Sequence, residues 1–118
     1  MSQPTPKVSR SDVERVVRRD FPADAVAEIL ASLEEYGSED FHREKERVQL
    51  AVLKLASGSR EKLRYELEGA KCDYRDVLGP AEYPGYSKKM FRIDRLSEEE
   101  KKQLIDADWK QYQDWLKR

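Results

Sequence analysis

The chain has one histidine and one cysteine, and these two residues are where chemistry would be sought first. Glu39 and His42, in SEDFHREKE, match the Glu-x-x-His spacing of di-iron helical bundles. Such a site needs two of these motifs and further inward glutamates, which a single histidine cannot supply. Both residues also fall in the first turn of an expected helix, where acidic side chains are favoured by the helix dipole. No metal ligand is expected. Cys72 would need a base or a nearby cation to hold a thiolate. Its neighbours Asp73 and Asp76 carry the opposing charge, so the thiol reads as a small packing residue.

Acidic pairs are plentiful (Glu34-Glu35, Glu39-Asp40, Glu98-Glu99-Glu100), but 40% of the chain is charged. In such a chain these runs read as solvated faces. There is no phosphate-binding glycine loop, no nucleophile elbow and no HExxH motif. No catalytic residue and no cofactor is expected.

Two constellations point to binding instead. Tyr65, Gly69, Cys72 and Asp76 stand at i, i+4, i+7 and i+11, on the side of a helix away from its main apolar stripe. Gly69 inside a helix costs about 1 kcal/mol relative to alanine, and such a glycine can admit another backbone. Trp115, near the C-terminus, is placed to reach beyond the core, and aromatic side chains are enriched at binding hot spots. Tyr65, Gly69, Cys72 and Trp115 therefore form a candidate surface for a protein partner or a second copy of the chain. The competing reading has Trp109 and Trp115 cover Gly69 within the chain.

The second constellation is GPAEYPGYSKKMFRIDRL, Gly79 to Leu96. Tyr86, Lys88, Lys89, Arg92 and Arg95 form a candidate surface for an anion or nucleic acid, since single-strand binders combine cations with aromatic platforms. Residues 84–96 carry four basic side chains against one acidic one. Yet the whole chain has a net charge of -1, without the basic footprint of a nucleic-acid binder. The segment is also rich in Tyr83, Tyr86, Met90, Phe91, Ile93 and Leu96, so we expect an ordered, extended strap with several of these inserted into the core.

The elements that would position these residues are helical. At 118 residues the chain can bury a real core. Residues 1–8 are expected to be a flexible tail and residues 9–118 a single helical domain. A short first helix begins at Ser11, which forms a capping box with Glu14, and ends at Phe21-Pro22. The second carries Val26, Ile29, Leu30 and Leu33 on one face and stops at Gly37.

A third helix over 39–57, capped by Ser38, has apolar residues on two sides, which places it centrally. A fourth, over 60–78 and capped by Ser59, is stopped by Gly79-Pro80. A capping box of Ser97 and Glu100 opens a fifth, over 98–116. Short connections predict that the second, third and fourth pack as successive antiparallel hairpins. No segment alternates with period two.

The expectation is an all-α bundle of four main helices plus a short N-terminal one. No apolar run is long enough to span a membrane, MSQPTPKVSR does not read as a secretory signal, and one cysteine cannot form an internal disulfide. A cytoplasmic, non-enzymatic interaction or regulatory module is expected, a homodimer among its forms. Nucleic-acid or phosphate-ligand binding through residues 83–95 is the alternative.

Overall fold

In the computed structural model, which describes residues 4–118, the helix Lys45–Ala56 (α3) is the centre of the molecule. Val48, Gln49, Leu50, Ala51, Val52 and Leu53 are six successive buried residues. A helix buried around its whole circumference must be enclosed by others, and α3 packs against Arg10–Asp20 (α1), Arg60–Cys72 (α4) and Arg75–Glu82 (α5). The remaining helices are Val26–Leu33 (α2), Pro84–Lys88 (α6) and Glu98–Lys117 (α7). Short 3-10 turns occupy Ala23–Ala25 and Met90–Arg95. The fold is all-α, with no strand among the described residues.

Several boundaries depart from the sequence reading, each for a local reason. The first capping box is Ser9 with Asp12, two residues earlier than Ser11 with Glu14, and the Ser9 N–H donates to Asp12 Oδ2 at 2.9 Å. The third helix starts at Lys45, six residues later than position 39. Residues 34–44 form a turn-rich connection instead, pinned by Tyr36, whose hydroxyl donates to the Arg43 carbonyl at 2.6 Å. That long connection replaces the tight hairpin expected between the second and third helices. Gln49 reaches across from α3 and donates to the Leu33 and Tyr36 carbonyls, satisfying the end of α2 from within the core.

The expected helix 60–78 breaks at Asp73, not at Gly79-Pro80. Asp73 is extended (φ -155°, ψ 108°), and its Oδ1 accepts the Arg75 N–H at 3.0 Å. A short polar side chain that bonds the backbone two residues on competes with helix continuation. The chain restarts as α5 and runs through Gly79 and Pro80 to Glu82. Pro80 forgoes one intrahelical bond there.

The extended strap is likewise corrected: residues 84–95 are helical turns. Tyr83 is buried, whereas Met90 is 62% and Phe91 97% exposed. Asp108 of α7 holds this segment, accepting the N–H groups of Gly85 (3.0 Å) and Tyr86 (2.8 Å) at the start of α6. At the other end of the chain, the residues before α1 lie against the body from Pro4 onward. Pro6 is buried, Val8 packs on the core, and the Tyr83 hydroxyl donates to the Pro4 carbonyl at 2.5 Å. Of the expected tail, residues 1–3 lie outside the described residues.

Candidate docking groove

Helical periodicity fixes the first part of the site. Positions 65, 69 and 72 share one face of α4, and the structure leaves that face open. Tyr65 is 76% exposed, Cys72 is exposed, and a Cβ built on Gly69 would meet nothing within 4 Å. Because the chain turns at Asp73 and restarts as α5, Val77 and Pro80 form a second wall, with Leu55 of α3 also lining the space. The result is an open cavity of about 620 Å³ with an apolar lining. The last helix does not cover it.

The charges at its rim and beside it fall into two groups. Arg64 and Lys71 are held by Glu35 and Glu68. Arg64 lies 2.8 Å from Glu35 and 3.0 Å from Glu68, and Lys71 lies 2.9 Å from each. The Arg64 and Lys71 hydrogen bonds pull the Glu35 carboxyl down to about 2. Glu66 and Asp76 make no ion pair among the described residues. Burial pushes the Glu66 carboxyl upward, because no cation answers the lost water.

Trp115 lies elsewhere. It is 7% exposed, stacks obliquely on Tyr112 with ring centroids 5.5 Å apart, and carries the Arg19 guanidinium 5.2 Å from its ring. Arg19 also donates to the Trp115 carbonyl at 2.7 Å. These contacts bind the end of α7 to α1, so Trp115 is a packing residue and not a neighbour of Gly69. It borders a separate, polar cavity of about 790 Å³ beside Lys54 and Arg118. The C-terminal ends of α1, α3 and α7 converge there, where basic side chains complement the helix dipoles.

The second constellation is exposed. Lys88, Lys89, Arg92 and Arg95 are on the surface, Tyr86 is half-buried against the Asp108 anchor, and the four cations make no ion pair among the described residues. His42 serves the 34–44 connection. Its Nδ1 accepts the Gly37 N–H at 2.8 Å, and its ring stacks on Tyr36 at 4.5 Å. No group of three or more metal-ligating side chains occurs among the described residues, and no helix of the described chain is long and apolar enough to cross a membrane.

Sequence reasoning missed Leu55, Val77 and Pro80. Val77 and Pro80 reach the groove through the turn at Asp73, for which the Asp-x-Arg spacing was the one local signal, and Leu55 reaches it from α3. The fold and groove thus define an all-α chain with an open apolar cleft between two short helices. No family model matches this chain, and neither a curated protein nor a solved structure matches it.

Proposed function

We propose that the protein is a non-enzymatic interaction module that docks a protein partner in the α4–α5 groove. The observation that carries this reading is Gly69. A helix interior glycine is costly, and here no neighbouring group of the chain fills the space before it. Binding sites are concave and mostly apolar with a few polar groups, and Tyr65 supplies an aromatic anchor of the kind enriched in hot spots. We place the module in the cytoplasm, where its free, exposed Cys72 would persist as a thiol.

The test is comparative capture from native cytosol with the full chain, using wild type, Tyr65→Ser and Gly69→Leu. The reading expects a protein, identified by mass spectrometry, that wild type retains and both variants lose. An identical set of captured proteins with the groove filled would sink it.

The exposed cations at Lys88, Lys89, Arg92 and Arg95 beside the solvent-facing Phe91 favour a second reading, phosphate or nucleic-acid binding at residues 83–95. Oligonucleotide binding at low salt that disappears on replacing the four cations would support it.

A further inference from the structure

Two outward-facing features of this surface are complementary. One is a knob. Met90 and Phe91 are adjacent on a 3-10 turn, 62% and 97% exposed, and the neighbouring Lys88, Lys89, Arg92 and Arg95, which outnumber the one acidic residue there, Asp94, make no ion pair among the described residues. The other is the groove, mainly apolar in its lining and about 620 Å³ in volume, room enough for an aromatic ring and a thioether side chain. Gly69 puts no side chain into it, and a Cβ built there would meet nothing within 4 Å. At its rim are the carboxylates of Glu66 and Asp76, likewise without an ion pair. Arg64 and Glu68 there already satisfy one another and do not change the balance.

We propose that the occupant of the groove is a second copy of this chain, whose Met90 and Phe91 enter it over Gly69 while the basic side chains around them meet Glu66 and Asp76. This rests on the reading of the groove as the docking surface. Apolar knob and apolar cleft supply the burial, and cation and carboxylate set the orientation. Burial of the Glu66 carboxyl without a cation is relieved in the same contact. If two copies associate about a two-fold axis, each gives its knob to the other's groove and both features are covered together. Nucleic acid would use the same cations but leave the groove empty.

The test is self-association of the full chain by light scattering and sedimentation, from low micromolar to millimolar concentration. It compares wild type with Phe91→Ser, Gly69→Leu and an equimolar mixture of the two variants. Neither substitution removes packing, because Phe91 is almost wholly solvated and Gly69 faces open space. Wild type is expected to dimerise, each variant alone to weaken the dimer about tenfold or more, and the mixture to recover one knob-in-groove contact. Thiol labelling at Cys72 should slow with protein concentration in wild type only.

A wild type that stays monomeric overturns the inference. It leaves the groove reading to stand or fall on the capture experiment. Association lost with Phe91→Ser but untouched by Gly69→Leu overturns the groove as the seat of the knob. A mixture that fails to re-associate, or oligonucleotide binding with no dimer, overturns it as well.

Discussion

Glu82, at the last position of α5, and Arg47, in the first turn of α3, form a two-pronged ion pair. Arg47 Nε lies 2.8 Å from Glu82 Oε2, and the second guanidinium nitrogen 2.7 Å from Oε1. Glu82 is 2% exposed and the Arg47 side chain 20%. The Glu82 hydrogen bond raises the Arg47 pKa above its ordinary value against an opposing desolvation. The pair joins the central helix to the end of the helix that walls the groove.

Breaking such a pair from one side strands a buried charge, whereas replacing both partners with apolar groups does not. Arg47→Met or Glu82→Leu should each destabilise the chain by about 3 kcal/mol, and the double replacement by clearly less than the sum. Urea unfolding of the four proteins in a double-mutant cycle checks this. Additive single effects would show that the pair is not a coupled unit.

Gly85 should not tolerate a side chain. A Cβ there would lie 2.8 Å from Asp108 Oδ1, and Asp108 is 5% exposed and fixed by two backbone N–H groups. The carboxylate cannot swing aside without leaving both donors. Gly85→Ala should cost about 1–3 kcal/mol, and Asp108→Ala a similar amount by orphaning the donors at the start of α6. Denaturant midpoints measure both. A Gly85→Ala protein as stable as wild type would show that α6 can shift freely.

Gly69 is the opposite case. It is helical, its Cβ position is open, and no positive φ demands glycine. Gly69→Ala should therefore stabilise the monomer by about 0.5–1 kcal/mol. Thermal unfolding at low concentration, where association does not contribute, reads this directly. A loss of stability would mean that the groove closes over this position in solution.

The contrast between Gly85 and Gly69 shows what could be read from the chain alone. Signals confined to a few neighbouring residues were legible. Ser97 and Glu100 do cap α7, with Glu100 N–H donating to Ser97 Oγ at 3.1 Å, and Ser59 caps α4. The two-sided apolar pattern of α3 did mean central burial. Tyr65, Gly69 and Cys72 share a face because they share a helix.

Features that depend on a distant partner were not legible. Nothing around residue 85 announces Asp108, and nothing around Trp115 announces Arg19. The aromatic content of residues 83–96 argued for burial of the whole segment, yet only Tyr83 is fully taken in, while Phe91 faces water. Composition counts apolar residues, but the turns that aim them are set by tertiary contacts.

Acid should loosen the attachment of α2 to α4. Glu35, just beyond α2, receives Arg64 and Lys71 from α4, and these bonds hold its carboxyl at about 2, against an ordinary value near 4.5. The folded state therefore binds this proton less readily than the unfolded one. The contribution is complete above about pH 4.5 and is lost as the pH falls toward about 2. Glu34 is lowered as well, by its hydrogen bond to Lys45 first, and acts in the same direction. Glu66, raised by burial, acts in the opposite one, since its penalty appears as the pH rises through its elevated pKa. The Glu35 side chain is 40% exposed, so solvent screening limits the effect: Glu35→Gln should cost about 0.5–1 kcal/mol near neutral pH. That difference from wild type should shrink toward zero on acidification and in high salt. Urea unfolding of both proteins across the acid range measures the gap, and a gap independent of pH would assign the loss to packing instead of charge.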